Sequence, residues 1–191
     1  MQEKRILEIF TDSKALLTGH FKLTSGLHSN QYFQCAQVLQ YPKYAEELCS
    51  FAMACFENKA PTTVIAPAVC GIVVGQETAR LLNCRSIFAE RQEGVMTLRL
   101  GFTVEPGEKV LVVEDVVTTG GSVKEVVELV RRAGGEVVGV FCIVDRSGGK
   151  AEFGVPFVAA FQMEVVSFPP ESCPLCAQNL PIVKPGSRGL K

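Results

Sequence analysis

Glu114 and Asp115 stand side by side, and Val116, Val117, Thr118, Thr119, Gly120, Gly121 and Ser122 follow directly. Glycines let a backbone approach an anion closely, and hydroxyls beside the amides of a helix start add donors, so the second half of this run suits a phosphate. Carboxylates next to a phosphate are unfavourable unless each meets a partner. Vicinal sugar hydroxyls are such partners, which makes the whole run a cradle for a phosphosugar lying across it. A P-loop is excluded by spelling, because no lysine follows Gly120 or Gly121, and no Gly-x-Gly-x-x-Gly occurs. An ordinary strand-to-helix turn explains Ser122 and the glycines, but not two acids with two threonines.

The flanking residues indicate what holds this run. Val110, Leu111, Val112 and Val113 are apolar without alternation, as in a parallel strand covered on both faces, so a strand is expected over 110–114 with the chemistry beginning where it stops. Ser122 and Glu125 have capping-box spacing, and Val123, Val126, Val127, Val130 and Ala133 form an apolar helical stripe that Gly134 and Gly135 close. Further strands are expected from Thr63, over 86–89 and over 137–144, with a helix over 72–82. Alternating strands and helices predict an α/β fold with a parallel sheet. Ligands of such sheets sit beyond the carboxyl ends of the strands, so the loops 67–71, 114–122 and 145–149 should converge.

One domain is expected over 1–191, with an N-terminal cover at 1–41, an α/β core at 42–168 and a tail at 169–191. Ile6, Ile9, Phe10, Leu16 and Leu17 have loosely helical spacing that Gly19 ends. Residues 20–35 suit short strands around a Ser25-Gly26 turn, and Pro42 starts a helix carrying Tyr44, Leu48, Phe51, Ala52, Cys55 and Phe56 on one face. Residues 90–102 are punctuated by glycine, carry Arg91 and Arg99, and read as a mobile cationic lid, although Arg99 suits a solvated surface equally well. The last residues, 185–191, are expected to fray.

Composition narrows the function. Nineteen basic against twenty acidic side chains leave a net charge of −1, which argues against a broad nucleic-acid surface. No stretch reads as a secretory signal or a membrane span, so the expected location is the cytoplasm. The eight cysteines are scattered and read as buried thiols. Cys173 and Cys176 are the exception, since Cys-x-x-Cys supplies half of a zinc site or a redox dithiol. Two more ligands are needed, and the two histidines, His20 and His28, lie far upstream, so a plain C-terminal turn is expected and the pair should be dispensable for chemistry.

The stretch from Val112 to Ser122 resembles the PRPP-binding signature of the type I phosphoribosyltransferases, and its spelling from Glu114 onward resembles the orotate-using members in particular. The segment from Phe21 to Phe33 is similar to their N-terminal segment, and Val144-Asp145-Arg146 to the strand end that supplies an orotate-binding arginine. The match runs in order from about residue 19 to 149. The resemblance implies transfer of a 5-phosphoribosyl group from PRPP to N1 of orotate, giving orotidine 5′-phosphate and pyrophosphate in pyrimidine synthesis. It implies PRPP contacts from Arg91 and from Glu114 through Ser122, orotate contacts from Ser25, Phe33, Thr118 and Arg146, and catalytic roles for Asp115, Arg91 and Arg99. It also implies Mg2+ carried mainly by PRPP, with no dedicated protein metal site, and a homodimer whose lid reaches a neighbour's site. Thr24 and Cys70 stand where many relatives have lysines. Two alternatives stay open: a phosphoribosyltransferase for another base, and a PRPP-sensing regulator that lost catalytic cations.

Overall fold

The computed structural model describes residues 3–23, 26–163 and 166–184. In chain order the elements are α1 (Glu3–Asp12), β1 (Leu16–Lys22), β2 (His28–Phe33), α2 (Ala36–Leu39), α3 (Pro42–Phe56), β3 (Thr63–Pro67), α4 (Cys70–Leu82), β4 (Arg85–Gln92) and β5 (Val95–Leu98). They continue with β6 (Lys109–Val117), α5 (Gly121–Arg132), β7 (Glu136–Asp145), β8 (Phe157–Gln162), β9 (Ser167–Phe168) and α6 (Pro174–Ala177).

The apolar runs form the middle of a six-stranded sheet ordered β5-β4-β3-β6-β7-β8, parallel except for β5. Alternate residues of each strand enter opposite layers. Val64, Leu111, Val113, Phe141 and Ile143 pack with Leu48, Ala52 and Phe56 of α3, whereas Ile65, Val110, Val112, Val140 and Cys142 pack with the stripe of α5. Each such side chain contributes roughly 1.5–3 kcal/mol when removed from water. The expected α/β parallel sheet is thus present, and its order leaves β3, β6 and β7 adjacent so that their carboxyl ends share one edge. None of the described helices is long and apolar enough to cross a membrane.

Several boundaries differ from the sequence expectation. The first helix ends at Asp12, because Lys14 turns the chain at φ 55° and the Ala15 N–H donates back to the Phe10 carbonyl at 2.9 Å. Leu16, Leu17 and Gly19 therefore belong to β1. Strand β6 runs on to Val117, because Val116 and Val117 still pair with Val144 and Asp145 of β7, so Asp115 as well as Glu114 sits inside the strand. Helix α4 begins at Cys70, earlier than expected, and β8 was not anticipated.

The capping box does not form. Gly120 occupies the N-cap of α5 at φ 76°, with no side-chain cap, and Glu125 is held elsewhere by Arg91. The expected lid is built as a β-hairpin, in which Gln92 pairs with Val95 across the two-residue turn Glu93-Gly94. Both turn residues have positive φ, the combination that matches the twist of a tight hairpin.

A second sheet, β1-β2-β9, is antiparallel and draws on both ends of the chain. His28 pairs with Phe168 of β9, and Val183 lies along β1, its N–H donating to the His20 carbonyl at 2.8 Å. The expectation of a plain turn at Cys173 and Cys176 rested on the distance of the two histidines along the chain, which the fold removes. Strand pairing carries His20 and His28 to the two thiols, although more than a hundred residues separate them in sequence. The expected fraying of 185–191 lies outside the described residues.

Candidate active site

The site begins at the carboxyl end of β3. After Pro67 the chain passes through Ala68 and Val69, whose peptide bond is cis, into the start of α4. A Cβ on Gly71 would lie 3.0 Å from Glu114 Oε1, so glycine there lets α4 start close against the acids of β6. Beyond Val117 the chain turns through Thr118 and Thr119 to Gly120. The first helical bond of α5 runs from the Lys124 N–H to the Gly120 carbonyl at 2.9 Å, leaving the amides before Lys124 without a helical acceptor. These segments face one another across a cleft of about 490 Å3, lined by Ala68, Val69 and Cys70 on one wall and by Glu114 through Val123 on the other.

A second cavity of about 580 Å3 adjoins it. Its lining includes Lys22, Leu23, Tyr32, Phe33, Gln34 and Cys35 from the smaller sheet and Arg146 from the end of β7. Cys70, Asp115, Val116, Thr118 and Thr119 line both spaces, so one extended ligand can lie across the two with its middle at Asp115.

The electrostatics are those of an incomplete site. Burial pushes the Glu114 carboxyl well above the usual carboxylate range, and Asp115 beside it acts in the same direction. Burial also raises Asp115, against hydrogen bonds that favour its charged form. The Asp115 N–H donates to Glu114 Oε1 at 3.0 Å. Arg146 faces the opposite problem: burial lowers its pKa, and its Nε is enclosed without a hydrogen-bond partner among the described residues. The neighbouring Asp145 accepts the Ser147 N–H at 2.8 Å, and none of the ion pairs among the described residues includes Arg146. A guanidinium offers a rigid fork of donors and does not lose its proton under such burial, so the cavity carries an unspent charge for a planar anion.

The structure thus brings together Glu114 through Ser122, Phe33 and Arg146, all singled out from sequence. Phe33 is foremost a core residue, packed edge-on to Phe10 with ring centroids 4.7 Å apart. Ser25 and Thr24 lie outside the described residues. Arg91 and Arg99 are not among the residues lining either space. Arg91 pairs with Glu125 at 2.8 Å and Arg99 with Glu90 at 3.1 Å. Sequence reasoning missed Lys22, Gln34 and Cys35. Lys22 ends β1 at the cavity, and a lysine closing a strand beside a Ser-Gly turn was the signal available.

Fold and cleft together define an α/β protein of the phosphoribosyltransferase type. The phosphoribosyl transferase domain model matches residues 34–168, and the chain belongs to that family. It is 57% identical over 188 residues to an orotate phosphoribosyltransferase of Desulforamulus reducens, covering 98% of each chain. A second, from Heliobacterium modesticaldum, is 55% identical over 190 residues, covering 98% of this chain and all of the relative. Among solved structures, the orotate phosphoribosyltransferase of Aeropyrum pernix superposes with a TM-score of 0.72 at 23% identity, covering 83% of this chain and 93% of that one. The adenine phosphoribosyltransferase of Rhodothermus marinus gives 0.66 at 22%, covering 84% and 100%. At that identity these two speak for the fold alone.

Proposed function

We propose that this chain transfers the 5-phosphoribosyl group of PRPP to N1 of orotate, giving orotidine 5′-phosphate and pyrophosphate in pyrimidine synthesis. The observation that carries the reading is Arg146, a half-buried guanidinium whose Nε is enclosed without a partner among the described residues, in a cavity that opens onto Asp115. Orotate has the planar carboxylate that such a fork receives through two parallel hydrogen bonds. The relatives' shared name, at more than half identity over nearly the full chain, supports the same substrate.

In this reading the 5-phosphate accepts from the amides and hydroxyls between Thr118 and Ser122, and the ribose hydroxyls donate to Glu114 and Asp115. The pyrophosphate lies toward Ala68–Gly71, at the start of α4. The bond from ribose C1 to the pyrophosphate oxygen breaks and a bond from C1 to N1 forms, through an oxocarbenium-like carbon. Fixed charge placed around that carbon stabilises the departing group.

Mg2+ fits this donor set, since Glu114 and Asp115 offer hard oxygens that meet no cation in any ion pair of the described residues. Arriving with PRPP, and held mainly by ligand oxygens and water, it would neutralise charge on the pyrophosphate. Arg91 and Arg99 act in a homodimer, where the β4–β5 hairpin at the sheet edge reaches a neighbour's cleft. The test is PRPP- and Mg2+-dependent loss of orotate absorbance with purified protein. Absence of that loss, with adenine or uracil consumed instead, overturns the assignment of the base.

A further inference from the structure

At the smaller sheet, His20 on β1, His28 on β2 and the pair Cys173 and Cys176 direct their ligand atoms to one point. All four atoms lie within 4.8 Å of one another. We propose that these residues bind a structural Zn2+ ion, one per chain, that fastens the C-terminal segment to the β1–β2 hairpin. The proposal does not rest on the proposed transferase activity, and neither cavity of the cleft is lined by any of the four residues.

Four of the six ligand-to-ligand distances lie close to those around a tetrahedral ion. With Zn–S near 2.3 Å and Zn–N near 2.05 Å, the edges of the tetrahedron are about 3.3 Å for N···N and about 3.6 Å for S···N. The observed edges are 3.0 Å from His20 Nε2 to His28 Nδ1 and 3.3 Å from Cys176 Sγ to His28 Nδ1. Both thiols stand 3.7 Å from His20 Nε2. Two sulfurs and two imidazole nitrogens in this arrangement suit zinc, a borderline-soft ion without redox chemistry.

A second observation concerns the ring orientation. His20 Nδ1 lies 2.8 Å from the Leu180 carbonyl, which fixes the tautomer with Nδ1 as donor and leaves the Nε2 lone pair aimed at the cluster. An outer hydrogen bond of this kind accompanies metal-bound histidine. His20, His28 and Cys173 are buried, while Cys176 is exposed at the rim, giving a closed site with an entry path. The sheet that carries it has three strands, one of them only two residues long, so it contains little apolar core of its own and gains from a metal staple. The same hairpin presents Lys22 and Leu23 to the base cavity, so the ion would hold that wall in position.

The experiment is elemental analysis of the desalted protein, followed by stripping of metal under reducing conditions and titration with Co2+. We expect about one zinc per chain. Co2+ should give the intense visible bands and near-ultraviolet sulfur charge-transfer band of a tetrahedral thiolate site. Cys176→Ser, the least buried ligand, should lower the metal content and abolish the charge-transfer intensity from that thiolate. Cys55→Ser, an exposed cysteine elsewhere, should leave both unchanged. Stripping should lower Tm and speed proteolysis after β9. Substoichiometric zinc in the parent, together with Co2+ spectra of octahedral type or spectra identical in parent and Cys176→Ser, would overturn the site. The Co2+ titration of the parent keeps the question decidable even where a variant fails to fold.

Discussion

Replacing Arg146 by alanine separates recognition of the base from recognition of the phosphosugar. The guanidinium is half-buried, its Nε has no partner among the described residues, and Asp145 is occupied by its own turn. The charge is therefore available to a ligand without first breaking an ion pair. Truncating one partner of a buried charge pair costs about 2–5 kcal/mol. The partial exposure of Arg146 argues for the lower half of that range, and about 3 kcal/mol corresponds to a loss of roughly 150-fold in kcat/KM for orotate. Arg146→Lys should recover only part, because a point charge does not reproduce the fork. Uracil lacks the carboxylate and should be a poor substrate of the parent that loses little more in the variant. The assay is kcat/KM for both bases, with PRPP affinity by calorimetry as the control. Equal losses for orotate and uracil, or a matching loss of PRPP affinity, would falsify the role of Arg146 in gripping the base.

Four further outcomes are expected. Asp115→Asn weakens a charge-assisted bond to ribose hydroxyls and should lower turnover about 10-fold or more while the circular dichroism spectrum stays that of the parent; unchanged turnover removes Asp115 from the site. Arg91→Ala should lower kcat more than orotate affinity, since its charge matters as pyrophosphate departs; an effect confined to orotate KM contradicts the lid role. Burial raises Glu114, so without ligand its protonated form contributes stability that is fully present below the ordinary carboxylate range and is lost as pH rises through the raised value. Glu114→Gln should accordingly have the higher Tm at neutral pH, a gap that closes in acid, while binding PRPP less well; a gap independent of pH argues against the buried carboxylate as its cause. A Cβ on Gly139 would lie 2.2 Å from Phe56 Cε1, so Gly139→Ala should destabilise by roughly 1–3 kcal/mol in urea denaturation, and a neutral result means that β7 and α3 can separate at that point.

The sequence by itself determined the features whose cause is local. A short, mostly β-branched apolar run without alternation such as Val110 to Val113 suits a strand buried on both faces, and it became the centre of the sheet. Residues Glu114 to Ser122 are contiguous, so their chemistry could be read before their positions were known. The stripe of α5 and its closing glycines were legible for the same reason. Boundaries followed less well, since Leu16 and Leu17 satisfy helical spacing until a left-handed Lys14 turns the chain, and Val116 and Val117 continue a strand only because β7 is there to pair with them. What side chains meet was decided by tertiary structure alone. Glu125 had the spacing of a cap but lies opposite Arg91. Arg146 follows Asp145 directly in sequence and does not pair with it, because the Asp145 carboxylate turns to the Ser147 amide. Cys173 and Cys176 had no histidine near them along the chain, and the return of the C-terminal segment to β1 and β2 brings both thiols to His20 and His28. Spacing reports neighbours within one element, whereas contacts between elements depend on strand order and register, which no single segment encodes.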